Sequence, residues 1–202
     1  MKKLVTCKEM KDLDSTTIRE IGVPSEVLME RAALKVVEET EKYLQKDERI
    51  LVVCGSGNNG GDGIAVARLF HLKGIRVEFY MVGNKDKMTR ETALQYKIAS
   101  GYRVPEVNNP QWSEYTTIVD AVFGVGLTRP IEGHYADIIH EMNSARAKKI
   151  AVDIPSGVNG DTGLEMGIAF SADLTVTFAY RKRGLCFYPV SYTHLTLPTT
   201  SY

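Results

Sequence analysis

Residues 52–63 read VVCGSGNNGGDG, an apolar run that passes into five glycines within nine residues, directly before a helical pattern. Glycines at such a place let the backbone turn tightly and bring its N–H groups close to an anion, and the positive end of the following helix favours negative charge. Gly55, Gly57 and Gly60 also have the spacing of a dinucleotide-binding loop. We therefore expect a strand, a phosphate-binding turn and a helix, although such glycines are also typical of a tight turn alone.

Strand and helix patterns alternate along the chain on both sides of this stretch. Two helices come first, and five β-branched runs then alternate with helical patterns. The helices are expected at 8–20 and 24–45, from 64 to Gly74, and at 89–99 and 135–142, and the strands at 50–54, 75–82, 117–123, 149–154 and 173–178. This order predicts a Rossmann-like three-layer α/β/α sandwich with a mostly parallel sheet and an N-terminal helical arm.

The composition limits the class of protein. With 202 residues and 44% hydrophobic content, the chain is expected to bury a single core. Lys plus Arg and Asp plus Glu both total 25, so the net charge is zero and provides no general attraction to nucleic acid or to an anionic membrane. We expect neither as a partner, and any anion site must be local.

The cysteines and the first residues point to the compartment. Cys7, Cys54 and Cys186 are far apart and form no CxxC pair, which argues against a disulfide framework or a zinc site. The first nine residues run straight into charged side chains, so we expect neither a signal peptide nor a membrane span. Together these features predict a cytoplasmic protein.

Three strand ends are each followed by polar, glycine-containing sequence, at residues 55–63, 120–133 and 153–163. Because the carboxyl ends of parallel strands meet at one edge of the sheet, we expect these segments to form one cleft. Alternatives remain for single residues. Asp120 and Asp153 also suit caps of the following segments, and Arg129 suits either a phosphate clamp or a solvated loop cation.

An ordinary dehydrogenase is not favoured by this sequence. A dinucleotide domain of that kind carries an acidic residue at the end of its second strand, but residues 76–84, RVEFYMVGN, end without one and Glu78 lies too early. Asn58, Asn59 and Asp62 place two amides and a carboxylate beside the expected phosphate donors, and these groups suit a cation or a polar ring. No Ser-His-Asp arrangement is evident either.

Four ordered motifs resemble the NAD(P)HX epimerases, the YjeF N-terminal domain family. They are NNGGDG at 58–63, DAVFGVGLTR at 120–129, DIPSG at 153–157 and KRGL at 182–185. The opening of the chain is also similar, with Met10, Leu13 and Asp14, then GVP at 22–24 and LMERA at 28–32. The resemblance covers roughly residues 4–189.

The resemblance implies an isomerase of nicotinamide nucleotide repair. Its substrates are NADHX and NADPHX, the hydrates of NADH and NADPH, whose R and S forms it interconverts at ring carbon C6 by acid/base chemistry. It implies an ADP- or ATP-dependent NAD(P)HX dehydratase as a fused or separate partner, and the helical arm offers a surface on which a homodimer can form. The alternatives are an NAD-dependent oxidoreductase and, if truncation has inactivated the chain, a non-catalytic nucleotide-binding module.

The resemblance also assigns residues, and one assignment follows from the chemistry. Asp153, a carboxylate at a strand end, is our candidate general acid and base. Potassium is the implied cofactor, with Asn59, Asp120 and Ser156 as its ligands, a set of hard oxygen donors that suits an alkali ion. Lys182 suits a contact with a phosphate or with the ring, and equally a solvated lysine. The implied substrate-binding residues are Asn58, Asn59, Gly60, Gly61, Asp62, Gly124, Val125, Gly126, Leu127, Thr128, Arg129, Pro130 and Asp153.

The end of the chain departs from the family pattern. Residues 190–202, VSYTHLTLPTTSY, carry no charged side chain and an excess of threonine, which indicates a non-native tail. The family domain is then expected over residues 1–189 without its last strand. Thr193, Leu195 and Leu197 do alternate as in a strand, so a genuine terminal strand is the alternative.

Overall fold

The computed structural model describes residues 4–187 and 194–196. Its helices are α1 (Cys7–Arg19), α2 (Ser25–Glu41), α3 (Asn58–Leu72), α4 (Arg90–Gly101), α5 (His134–Ser144) and α6 (Gly184–Phe187). Its strands are β1 (Leu4–Val5), β2 (Arg49–Cys54), β3 (Arg76–Met81), β4 (Glu106–Val107), β5 (Thr117–Ala121), β6 (Lys148–Val152), β7 (Leu174–Val176), β8 (Arg181–Lys182) and β9 (His194–Thr196).

Seven of these strands form one parallel sheet in the order β4-β3-β2-β5-β6-β7-β9. The chain leaves β2 to one side for β3 and returns to its other side for β5, so the strand order reverses between β2 and β5. Ligands of open α/β sheets bind beyond the carboxyl ends of the strands at such a reversal. The predicted Rossmann-like parallel sandwich is confirmed.

Helices cover both faces of the sheet because its central strands are apolar on both sides. Val52 of β2 packs with α2, α3 and α4 on one face, and Leu51 packs with α5 on the other. All residues of β2 after Arg49 are buried. Helices and sheet together make the three layers that the alternating pattern predicts.

The N-terminal arm is attached by a second, two-stranded sheet. Strand β1 pairs in parallel with β8, with Val5 opposite Lys182. Thr6 caps α1, since its hydroxyl accepts a hydrogen bond from the N–H of Glu9 while the Glu9 carboxylate accepts one from the N–H of Thr6. The arm is thus held against the carboxyl edge of the main sheet.

Three details differ from the sequence interpretation. Residues 58–63 were expected in a turn, but they form the first turns of α3, which begins at Asn58. The pairs β1–β8 and β3–β4 were not predicted because two-residue strands carry no periodic pattern. The expected tail over 190–202 lies outside the described residues except for β9, which pairs with β7, and its origin stays a prediction. In the described ranges no helix is both long and apolar enough to cross a membrane.

Candidate active site

A cavity of about 860 Å³ opens beyond the carboxyl ends of the strands. Its walls come from the start of α3, the segment after β5, Asp153 after β6, and the N-terminal helices α1 and α2. Of the predicted substrate-binding residues, those that line it are Asn58, Asn59, Asp62, Gly124, Val125, Gly126, Leu127 and Asp153. The three predicted segments therefore do meet in one cleft.

The remaining predicted substrate-binding residues lie outside the lining of this cavity. Gly60 and Gly61 are buried within α3, and Thr128, Arg129 and Pro130 are exposed on the loop beyond Leu127. Asp120 and Ser156 are fully buried behind the cavity wall. Substrate contact by Gly60, Gly61, Thr128, Arg129 and Pro130 stays a prediction.

Glycines bring the start of α3 close to β2 and β5. A Cβ atom on Gly60 would overlap the carbonyl oxygen of Gly55, and one on Gly55 would overlap that of Val122. The backbone N–H of Gly55 also donates to the Ala121 carbonyl at 3.0 Å. Gly57 is the N-cap residue of α3 and no side chain caps it. The glycines thus serve close packing, which places the uncapped helix start at the cavity.

Asp120 and Ser156 connect the segment after β5, residues 120–133, to the segment after β6, residues 153–163. Ser156 donates to the Asp120 carboxylate twice, from its backbone N–H at 2.7 Å and from its hydroxyl at 2.6 Å. The N–H of Phe123 in turn donates to the Ser156 hydroxyl at 2.9 Å. Burial raises the pKa of Asp120 to about 6, although the hydrogen bonds from Ser156 and Val122 act to lower it.

Asn59 links α3 to this pair of segments. Its amide group lies against Gly124, where an added Cβ would be 3.2 Å from the Asn59 Oδ1 atom. Within residues 4–187 and 194–196, the buried Nδ2 atom of Asn59 has no hydrogen-bond partner. The Asp120 carboxylate, the Ser156 hydroxyl and the Oδ1 atom of Asn59 are hard oxygen donors of the kind that suits an alkali cation, so these residues fit the implied potassium ion.

Asp153 and Lys182 form a buried ion pair at the cavity wall. The Lys182 side chain is 1% exposed, and its ammonium group donates to Asp153 Oδ1, to the Thr177 hydroxyl at 3.1 Å and to the Phe178 carbonyl at 3.2 Å. Asp153 has a backbone φ of 66°, a conformation uncommon outside glycine that Asp tolerates. Lys182 is therefore a partner of the candidate catalytic carboxylate rather than a solvated lysine.

Three further carboxylates line the same cavity, those of Asp14, Asp62 and Glu91. Burial raises the pKa of Asp62 well above its ordinary value, and Asp153 and Asp14 raise it further while Lys182 lowers it. Burial likewise raises the pKa of Asp14, on α1, to about 6. The motifs included Asp14, but nothing in the linear sequence placed it in the site, because α1 reaches the cavity only through the tertiary docking of the arm.

The N-terminal helices also supply an apolar wall that was not predicted. Met10 and Ile18 of α1, and Leu28 and Met29 of α2, line the cavity together with the polar segments. A cavity with one apolar side and a few convergent polar groups is typical of a small-molecule site. The arm thus completes the site as well as covering it.

The parallel sheet, the strand reversal and the carboxylate-lined cavity define an α/β domain that binds a small ligand and is equipped for proton transfer. Residues 25–184 match the family described as YjeF-related protein N-terminus. The chain belongs to this family. It is 46% identical to the NAD(P)H-hydrate epimerase of Limosilactobacillus fermentum over 182 residues. The aligned part covers 90% of this chain and 88% of that protein.

Other comparisons agree. The NAD(P)H-hydrate epimerase of Oenococcus oeni is 49% identical over 185 residues, covering 90% of this chain and 87% of the relative. The crystal structure of yeast ynu0 (YNL200c) superposes with a TM-score of 0.83 at 23% identity, covering 97% of this chain and 90% of the yeast chain. This structural similarity supports the fold.

Proposed function

We propose that this chain is an NAD(P)H-hydrate epimerase, an isomerase that interconverts the R and S forms of hydrated NADH and NADPH in nicotinamide nucleotide repair. The relatives that carry this name match nine-tenths of the chain. The observation in the molecule that carries the proposal is the ion-paired Asp153 at the wall of a cavity of about 860 Å³. Asp153 is a catalytic residue in this proposal.

The reaction needs proton transfer at one oxygen. Carbon C6 of the hydrate bears a hydroxyl next to the ring nitrogen, so its configuration is lost when the hydroxyl leaves to form an iminium ion or when the ring opens to an aldehyde. Both routes move a proton on the C6 oxygen. The carboxylate of Asp153, held by Lys182 and by the Thr177 hydroxyl at 3.1 Å, is suited to accept that proton.

A conventional NAD-dependent oxidoreductase is not favoured. The carboxylate that a ribose would need at the end of the second strand is absent, and Glu78 is engaged elsewhere. Glu78 accepts hydrogen bonds from Arg49 at 3.1 Å and from the Tyr115 hydroxyl at 2.7 Å. Glu78 therefore has a structural role on β3.

Replacement of Asp153 tests the proposal. Asn also tolerates the positive φ at this position, so Asp153→Asn is expected to fold, as circular dichroism checks. The variant should lower the conversion of purified R hydrate to S hydrate, followed by chromatography, by about 10²–10⁴-fold. Asp137→Asn, the same change on an exposed residue of α5, is the control and should keep full activity. Undiminished conversion by Asp153→Asn would remove Asp153 from the mechanism.

We propose potassium as the resident ion, held by the side chains of Asn59, Asp120 and Ser156. A bound cation would supply the positive charge that the fully buried Asp120 carboxylate otherwise lacks. In this role the three residues join the cavity segments and do not carry the proton. The hydrogen bonds between Asp120 and Ser156 support the arrangement.

A stability measurement tests the ion without reference to activity. An ion that binds only the folded state raises the melting temperature, so Tm should increase with potassium concentration at constant ionic strength. Sodium at the same concentrations is the comparison. Asn59→Ala should reduce the increase. An identical Tm in potassium and sodium would contradict the proposal.

The partners and compartment complete the proposal. The S hydrate is the form that an ADP- or ATP-dependent dehydratase, fused or separate, would consume. Exposed apolar side chains on the arm support a homodimer; among them are Ile21 and Val27, which are 69% and 45% exposed. Cys7, Cys54 and Cys186 are free thiols, which supports a cytoplasmic location.

A further inference from the structure

The cationic side chains that line the cavity differ in what holds them. Among the described residues they are Lys11, Arg19, Arg90 and Lys182. Lys182 is buried and committed to Asp153. Arg90, at the start of α4, has a side chain that is 85% exposed, and it pairs with Glu26 at 3.4 Å. Such an exposed pair contributes little energy, so the Arg90 guanidinium is available to an anionic ligand.

The backbone that carries Arg90 is fastened to the segment between β2 and α3. The N–H of Thr89, the N-cap residue of α4, donates to the Ser56 carbonyl at 3.0 Å. The Thr92 hydroxyl donates to the Gly57 carbonyl at 2.9 Å. Ser56 and Gly57 line the cavity as well. The start of α4 is therefore a fixed part of the cavity wall, and the exposed Arg90 side chain extends from a defined position.

Arg90 and the candidate catalytic Asp153 come from different halves of the sheet. The strand order β4-β3-β2-β5-β6 reverses between β2 and β5. Arg90 follows β3, in the half that contains β2, and Asp153 follows β6, in the half that contains β5. In doubly wound domains a dinucleotide binds across this reversal, with one nucleotide at each half. In the proposed function Asp153 acts on the hydrated nicotinamide ring, which leaves the adenosine for the half with β3 and α4.

The residues after β3 suit a phosphorylated adenosine ribose. In dinucleotide-binding domains an acidic residue at the end of the second strand of the nucleotide-binding half binds the free 2′-hydroxyl, whereas an arginine nearby accommodates a 2′-phosphate. Residues 81–84, MVGN, carry no acid. Glu91 lines the cavity beside Arg90, but its carboxylate accepts a hydrogen bond from the Ser25 hydroxyl at 3.0 Å. The planar guanidinium of an arginine matches the oxygens of a phosphate.

We propose that Arg90 binds the 2′-phosphate of NADPHX and is the residue by which this chain favours NADPHX over NADHX. The assignment rests on the proposed function and adds a substrate preference to it. Arg90 is a specificity-determining residue here and takes no part in proton transfer. NADHX remains a substrate, because it lacks the 2′-phosphate and so forgoes this one contact.

Kinetics with the purified R hydrates of NADPH and NADH test the assignment. Arg90→Gln should lower the ratio of kcat/KM for NADPHX to kcat/KM for NADHX by about 5–30-fold, through a higher KM for NADPHX. The kcat for each hydrate should not change. Arg90→Lys keeps the charge without the planar fork and should recover part of the loss. Arg76→Gln, on an exposed arginine at the first residue of β3 and away from the cavity, is the control and should keep the wild-type ratio.

A binding measurement tests the same contact without turnover. Adenosine 2′,5′-bisphosphate carries the 2′-phosphate, and 5′-AMP lacks it. Isothermal titration calorimetry should show that the wild type binds the bisphosphate more tightly than 5′-AMP, and Arg90→Gln should remove this difference. Equal affinity of the wild type for the two nucleotides would overturn the proposal.

The kinetic results that would overturn the assignment are equally specific. An unchanged kcat/KM ratio in Arg90→Gln would do so, and so would an equal loss for both hydrates, which indicates a general effect of charge. A larger fall of the ratio in Lys11→Gln or Arg19→Gln would assign the 2′-phosphate to α1 instead. A wild-type chain that leaves the proportion of R and S hydrates unchanged would overturn the proposed function, and calorimetry would still test the contact with Arg90.

Discussion

Lys182 is a charged side chain with 1% of its surface exposed. Charged groups are buried at this level when they are paired, since the loss of hydration is otherwise too costly. Among the described residues its ammonium group has three oxygen partners, and the charged one of these is Asp153. The residue therefore acts on the candidate catalytic carboxylate, which explains why a lysine is needed so close to the nucleotide cavity.

Removing one member of this pair should cost more stability than removing both. We expect Lys182→Met to lower the free energy of unfolding by about 3–5 kcal/mol, because Asp153 is left buried without its cation. Adding Asp153→Asn should recover part of this loss. Urea denaturation of the two single variants and the double variant measures the coupling.

A surface lysine provides the control for this cycle. Lys42 pairs with Glu39 but is 59% exposed, so Lys42→Met should change the free energy of unfolding by no more than about 1 kcal/mol. If the losses of Lys182→Met and Asp153→Asn simply add in the double variant, the pair does not stabilise the fold as described.

At the level of elements, α3 begins with poor helix-forming residues at a place where the helix packs closely on its neighbours. Its first six residues contain three glycines, which disfavour a helix. They are tolerated because this end of the helix packs closely on its neighbours: a Cβ at Gly60 would overlap the backbone of Gly55, and one at Gly63 would overlap the side chain of Ala121. Tertiary packing thus outweighs helix propensity here.

Gly60 and Gly57 allow these two effects to be separated. Propensity alone predicts that Gly60→Ala adds up to about 1 kcal/mol of stability. The overlap of its Cβ with the Gly55 carbonyl predicts the opposite sign, a loss of about 1–3 kcal/mol. For a chain of this size such a loss lowers Tm by roughly 2–12 °C, which calorimetry measures.

Gly57→Ala is the matched control, because an added Cβ at Gly57 meets nothing within 4 Å. Its effect should stay within about 1 kcal/mol, since only the N-cap preference changes. A stabilised Gly60→Ala protein would show that close packing at the start of α3 is not what requires glycine.

At the scale of the whole molecule, the arm formed by β1, α1 and α2 supplies part of the lining of the site. Strand β1 joins β8 next to Lys182, and α1 carries Asp14 to the cavity. Segments more than 140 residues apart in the chain are therefore adjacent in the site. The protein places the Asp14 and Asp62 carboxylates in a partly buried cavity, where burial raises their pKa, and this is a stability cost that binding sites commonly carry.

This cost predicts a pH dependence of stability. The folded pKa of Asp14 is about 6 against 3.8 for an ordinary aspartate, so its ionisation is resisted in the folded state. The contribution of Asp14 to the free energy of unfolding is therefore fully present below about pH 4 and is lost as pH rises through about 6. Asp14→Asn should therefore raise Tm at pH 7.5 by about 1–3 °C and leave it unchanged at pH 4.

Asp12→Asn, exposed on the same helix, should shift Tm by less than about 1 °C at both pH values. Differential scanning calorimetry at the two pH values checks both variants. An Asp14→Asn protein that is less stable than the wild type at pH 7.5 would contradict the cost assigned to the burial of this carboxylate.

Much of the fold was predictable from local sequence. Periodic apolar residues are read directly from the chain, so the five main strands and the helices between them were predicted close to their observed positions. Three polar segments at strand ends then implied a common edge, because parallel strands share one. Asp153, Asn58, Asn59 and Asp62 at the cavity follow from that rule.

By itself, therefore, the sequence determined the parallel sandwich, the edge that carries the site, and Asp153 as the carboxylate after β6. The tertiary structure alone decided that Lys182 is buried against Asp153, that Asp14 and the apolar wall come from the arm, and that residues 58–63 are helical. The physical reason is that periodicity and turn chemistry are local properties. Ion pairing, burial and the shift of a carboxyl pKa depend on which distant segments pack together.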